Sequence, residues 1–227
     1  MIATTTPSRA ISPGARSLGA LTLLALLGGL LLSSPVLAQS KTKGDPELGA
    51  AIAARACVAC HTPEGTSPIP ATPRLAGQHA SYLIKQIRDY REGRRSSEIM
   101  VSLLADLSDE DIAHVSAYFA TKEPLPGAAT DPSLLPLGRS IYLDGDPDRG
   151  VPSCSGCHGD DGEGTRRFPR LAGQDIDYMI VQMRHFAAGE RTNDRGLMQT
   201  VADRLSEAET LAVAQFTASL TGVSDTD

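Results

Sequence analysis

The sequence predicts an all-α protein made of two tandem helical domains. Two observations predict this. The chain repeats itself at a spacing of about 97 residues, and both copies show helical periodicity with no convincing alternation of the strand type. A third observation gives each copy the same chemical mark. Cys57-Val58-Ala59-Cys60-His61 and Cys154-Ser155-Gly156-Cys157-His158 both read C-x-x-C-H, and together they use all four cysteines of the chain.

The repeat extends well beyond the cysteines. Pro73-Arg74-Leu75-Ala76-Gly77-Gln78 recurs without change as Pro169-Arg170-Leu171-Ala172-Gly173-Gln174. Tyr82, Gln86, Gly93, Arg95 and Met100 recur as Tyr178, Gln182, Gly189, Arg191 and Met198. The offset drifts only between 96 and 98, so a whole domain has been duplicated with small loop changes. The boundaries read as 1–38 for an export leader, 39–122 for the first domain, 123–133 for a Pro/Gly-rich linker and 134–227 for the second domain.

In chain order, the leader comes first. Arg9 and Arg16 precede an apolar run from Leu18 to Leu32, and Val36-Leu37-Ala38 offers a small-residue cleavage site after Ala38. The run is short for a spanning helix and holds Gly28 and Gly29, so a cleaved leader is expected over an anchor. Next, Pro46–Ala56 and about Leu137–Leu143 read as short helices entering the C-x-x-C-H motifs. Ala80–Arg91 and Ile176–Ala187 read as helices stopped by Gly93 and Gly189. Ser108 and Ser206 start the last helix of each copy, the second with a full capping box and the first with Asp111 in the Glu position.

The C-x-x-C-H spacing has a chemical reason. Two thiols three positions apart each form a thioether to one vinyl group of a haem, and the following His supplies an axial nitrogen to the iron. Structural zinc and a redox dithiol are the rival readings, and neither requires a His after each second Cys. The motifs therefore predict two covalent haem c groups, attached at Cys57 and Cys60 and at Cys154 and Cys157, with His61 and His158 as iron ligands.

The repeat selects the second axial ligand. Met100 is the one methionine of residues 39–128 and aligns with Met198, whereas Met179 and Met183 align with Leu83 and Ile87 and read as packing. A thioether suits a low-spin electron-transfer haem and raises its potential. His79, His114 and His185 do not recur and read as surface or helix-face residues. The carbonyls of Pro73 and Pro169 are candidates to fix the axial His rings, and Leu75 and Leu171 to pack on the haems. Arg74 and Arg170 are candidates to pair with propionates.

Charge is uneven. Residues 39–128 carry ten basic and eleven acidic side chains, residues 129–227 nine and sixteen. The acidic second half argues against a nucleic-acid partner and offers a solvated face or a docking surface.

These motifs resemble the dihaem cytochromes of the cytochrome c4 type over essentially the whole mature chain. The resemblance rests on the leader, the two C-x-x-C-H motifs, the twice-used P-x-L-A-G-Q with its Y-x-x-x-Q helix, and a Met before each last helix. It implies two class I cytochrome c domains, each wrapped around one His/Met haem and packed about a pseudo-twofold axis. It also implies one-electron delivery in the periplasm, often to a terminal oxidase, with a quinol-oxidising complex or dehydrogenase as donor and loose membrane association. Two other functions stay open at this point. One is an electron-transfer subunit of a periplasmic dehydrogenase, of flavocytochrome type; the other is a dihaem peroxidase, which requires an iron with an open position.

Overall fold

The computed structural model describes residues 43–223. The expected leader and its cleavage point lie outside the described residues. Ten α-helices follow in order: α1 Pro46–Ala56, α2 Val58–His61, α3 Ala80–Arg91, α4 Glu98–Leu104, α5 Asp109–Ala120, α6 Leu135–Asp144, α7 Ser155–His158, α8 Ile176–Ala187, α9 Leu197–Ala202 and α10 Glu207–Ser219. The described residues contain no strand, only an isolated bridge between Asp146 and Val151. The expected all-α class holds.

The helices begin where the local chemistry says they should. Asp45 caps α1, its carboxylate accepting from the Glu47 and Leu48 amides, and Pro46 occupies the first turn. Both last helices carry a complete capping box, Ser108 with Asp111 and Ser206 with Glu209. Asp111 closes the first box although its side chain is one carbon shorter than Glu. α6 starts two residues before the expected Leu137, because Pro136 lies in its first turn, where a missing N–H costs nothing. α4 and α9, which carry Met100 and Met198, were not expected. At seven and six residues they are too short to show periodicity.

Each half is organised by one helix crossing. α1 crosses α5 at Gly49, and α6 crosses α10 at Gly138. A Cβ at Gly49 would stand 2.1 Å from the His114 carbonyl oxygen, and one at Gly138 2.1 Å from that of Ala212, so only glycine permits the close approach. The first core gathers Ile52, Ala53, Leu83, Val115 and Phe119; the second gathers Ile141, Tyr142 and Val213. The Pro/Gly stretch between the halves is strapped onto the second one. The Thr130 and Asp131 amides donate to Gln215 Oε1 at 2.7 and 3.1 Å, and Gly127 lies against the Ala218 carbonyl.

Candidate functional site

Each C-x-x-C-H motif forms a single helical turn, and the two turns match. The amides of Cys60 and His61 both donate to the Cys57 carbonyl, at 3.2 and 2.9 Å; those of Cys157 and His158 donate to Cys154 at the same distances. One turn therefore presents both cysteines and the His of each motif together. The loop back is fixed by glycines. Gly65 accepts the Leu75 and Ala76 amides, and Gly162 accepts those of Leu171 and Ala172. These bonds bring Pro-Arg-Leu-Ala-Gly-Gln against the C-x-x-C-H turn in both halves.

Both histidines are buried, 6% exposed each. His61 Nδ1 bonds the Pro73 carbonyl at 3.0 Å, and His158 Nδ1 the Pro169 carbonyl at 2.9 Å. A carbonyl only accepts, so Nδ1 carries the proton and Nε2 keeps its lone pair. Burial lowers both histidine pKa values, opposed in part by the bond to the proline carbonyl, so the rings stay neutral at pH 7. A neutral imidazole with a fixed tautomer and a free Nε2 is what an iron ligand requires.

The rival uses of the cysteines fit less well. Burial raises Cys57 and Cys154 to about 11, the reverse of a reactive redox thiol. Among the described residues no three His, Cys, Asp or Glu side chains cluster as a metal cage. The donor set fits two covalent haems: paired thiols beside a neutral imidazole, twice. Leu75 and Cys57 pack against the first core, Leu171 and Cys154 against the second, which gives each motif an apolar wall. Met100 and Met198 are half-buried on α4 and α9, whereas Met179 is buried within α8.

Of the spare histidines, His114 and His185 lie on helices as expected, but two of the three are tied to other parts of the fold. His114 is buried, and its Nδ1 accepts the Asp45 amide at 2.8 Å, tying α1 to α5. His79 bonds the Glu163 carbonyl of the other half at 3.0 Å. His185 is half-buried on α8, with Glu190 at 3.6 Å. Arg74 donates to the Gly173 carbonyl at 2.8 Å, and Arg170 to the Thr221 and Gly222 carbonyls; both thus have backbone partners.

Between the halves lies a polar interface with twofold logic. Gln174 Oε1 accepts the Arg74 amide at 2.8 Å while its Nε2 donates to the Arg74 carbonyl at 3.0 Å; Gln78 does the same to Arg170 at 2.9 and 3.0 Å. Arg95 donates to Tyr178 and Gln182, and Arg191 to Tyr82 and Gln86. Both guanidiniums are buried, 6% and 7% exposed, and each engages the other half. The repeat had shown these residues recurring without indicating why. Polar residues kept in both copies were the available signal, since a buried arginine must be hydrogen-bonded to be tolerated. Phe168, whose ring lies 6.0 Å from that of His158, has Thr72 as its counterpart, so the repeat could not find it.

A cytochrome c family model matches residues 46–122. Cytochrome c4 of Thiocapsa roseopersicina is 44% identical over 177 residues, covering 76% of this chain and 91% of the relative. The chain belongs to the cytochrome c4 family. The crystal structure of reduced recombinant cytochrome c4 from Pseudomonas stutzeri superposes with a TM-score of 0.75 at 37% identity, covering 78% of this chain and 99% of that one. A thiosulfate dehydrogenase electron acceptor of Thiomonas intermedia is 34% identical, covering 86% of this chain and 88% of the relative. As a cytochrome c4 family member, this protein is an electron carrier and not an enzyme, and it holds two covalently bound haem c groups.

Proposed function

We propose that this protein carries electrons one at a time through the periplasm between respiratory redox proteins. Cys57 and Cys60 hold the first haem, with His61 and Met100 on its iron; Cys154 and Cys157 hold the second, with His158 and Met198. The domains run 39–122 and 134–227, joined by 123–133. The observation that carries this reading is the matched pair of buried, neutral histidines, each fixed through Nδ1 by a proline carbonyl that the following loop brings back to the cysteine turn. A bound haem c supplies a one-electron iron couple. The residues around it do the rest. The proline carbonyls orient the imidazoles and raise their basicity. Met100 and Met198 would supply the second ligand to each iron, which would leave no position for a substrate, and a thioether there would raise the potential. Leu75 and Leu171 exclude water from the pockets.

The preferred acceptor is a terminal oxidase, with a quinol-oxidising complex as donor and peripheral association with the membrane. A specific observation favours a second reading, in which the donor is a periplasmic dehydrogenase: the similarity to a thiosulfate dehydrogenase electron acceptor. Mixing experiments separate the two. The reduced protein should be reoxidised by oxidase-containing membranes at a rate that rises with its concentration, and the oxidised protein should be reduced by a quinol-oxidising complex. Reduction by a purified thiosulfate dehydrogenase alone would establish the second donor. Failure to be reoxidised by such membranes would refute the oxidase as acceptor.

A further inference from the structure

We propose that Gln174 of the second domain positions and polarises the imidazole of His61 in the first, and that Gln78 of the first domain does the same for His158 in the second. The inference rests on the assignment of His61 and His158 as axial ligands. Its basis is a hydrogen-bond chain that runs through one peptide group. The carbonyl of Pro73 accepts from His61 Nδ1 at 3.0 Å, and the amide of that same peptide plane, Arg74 N–H, donates to Gln174 Oε1 at 2.8 Å. Gln174 Nε2 donates to the next carbonyl, that of Arg74, at 3.0 Å, so the glutamine grips the loop on both sides of Arg74 Cα. The other half repeats every link. His158 Nδ1 bonds Pro169 O at 2.9 Å, Arg170 N–H donates to Gln78 Oε1 at 2.9 Å, and Gln78 Nε2 donates to Arg170 O at 3.0 Å.

A planar peptide transmits such an interaction. An acceptor on its N–H shifts electron density towards its oxygen, and bonds in such a chain strengthen one another by roughly 10–30% each. The Pro73 carbonyl is then a better acceptor for the His61 N–H, and His61 gains imidazolate character and becomes a stronger donor to iron. A stronger donor favours the oxidised iron. Gln174 therefore holds the first haem's potential down, and Gln78 the second's. Both glutamines are buried, at 5% and 8% exposed for Gln78 and Gln174, so water does not readily replace them. The domains are thereby coupled at their iron ligands, with each supplying the outer support of the other's histidine.

The test is NMR of the reduced, histidine-labelled holoprotein, following the ring Nδ1–H signals of His61 and His158. Each is assigned by its proximity to residues 57–60 or 154–157. On stepwise oxidation each signal shifts when its own iron is oxidised, which assigns both potentials. Gln174→Ala should displace the His61 signal, speed its solvent exchange and raise the first haem's potential, leaving His158 nearly unmoved; Gln78→Ala should do the reverse. A threefold change in the redox equilibrium is expected, which is about 28 mV at 59 mV per tenfold for one electron. Gln174→Asn withdraws the oxygen from Arg74 N–H while keeping an amide, and carries the same crossed expectation if the alanine variant does not fold. An equal effect on both histidines, an effect within the mutated domain only, or no effect would overturn the proposal. A wild-type His61 signal that ignores oxidation of either iron would refute the ligand assignment, and it is read before any substitution is made.

Discussion

Replacing Gly49 by alanine should destabilise the first half, although alanine is the better helix former. The new Cβ would stand 2.1 Å from the His114 carbonyl oxygen, 2.6 Å from its carbon and 2.8 Å from Tyr118 Cβ. Ordinary contact begins at 3.4 Å, so α5 would have to retreat by about 1.3 Å from α1. The obstacle is helix backbone, which cannot rotate aside as a side-chain tip can. A gap of even 0.5–1 Å forfeits a quarter to a half of each dispersion contact, and Ile52, Ala53, Val115 and Phe119 pack near this crossing. Overpacking costs about 1–3 kcal/mol, and the upper end applies to a rigid obstacle. Helix propensity returns about 1 kcal/mol. The net loss is about 2 kcal/mol, which for a chain of this size lowers Tm by about 4–8 °C. Thermal unfolding of the holoprotein followed by far-UV circular dichroism measures it. Gly138→Ala meets the same 2.1 Å approach to Ala212 and should behave alike. Gly156→Ala is the control: its Cβ meets only Ser153 Oγ at 3.3 Å, and Ala59 stands at that position in the first half, so Tm should hold. A Gly49→Ala protein as stable as wild type, or more so, would refute the close-crossing argument.

The methionine assignment predicts that Met183→Leu keeps the red-edge absorption band of Met–Fe³⁺ ligation at full intensity, while Met198→Ala removes the second domain's share; the opposite pattern would reassign the ligand. The charge difference between the halves, −1 for residues 39–128 and −7 for 129–227, predicts that the first haem titrates at the higher potential and that the gap narrows as salt screens exposed charges over about 8–10 Å. Potentiometry at low and high ionic strength, with Met100→His and Met198→His to label the waves, checks this. Glu209 is held down at about 2, chiefly by its side-chain bond to Arg149 and then by the Ser206 amide. Because its folded pKa lies below the ordinary 4.5, its contribution is present above that pH and disappears as pH falls towards 2. Glu209→Gln should therefore cost about 0.5–1 kcal/mol at pH 7, with the gap to wild type closing in acid, as urea unfolding at several pH values would show.

What was legible in the sequence was whatever depended on spacing. The helices α1, α3 and α8 match their expected bounds, because a capped or glycine-stopped run of eleven or twelve residues shows its period. The proline carbonyls were legible too, since the repeat kept Pro-Arg-Leu-Ala-Gly-Gln whole and a histidine meant for iron needs an acceptor for its other nitrogen. The short helices around Met100 and Met198 were not, for want of two full turns. His114 and His79 do not recur, so the repeat offers only a surface or helix-face role for them, yet one ties α1 to α5 and the other crosses to Glu163. Recurrence detects what both halves share and misses what an asymmetric contact needs. The interface of Gln78, Gln174, Arg95 and Arg191 was visible only as repeated letters, because a contact between copies leaves no periodic trace within either copy.

Each half of the protein is expected to present one saturated, low-spin iron to one-electron partners. A spectroelectrochemical titration of the purified protein tests it most directly, with electron count, spin state and the Met–Fe³⁺ band recorded together. Two one-electron steps per chain are expected, with both irons low-spin throughout and a Met–Fe³⁺ band that reaches two equivalents on full oxidation. A high-spin iron at either site, or a band of one equivalent accompanied by peroxide turnover, would contradict it.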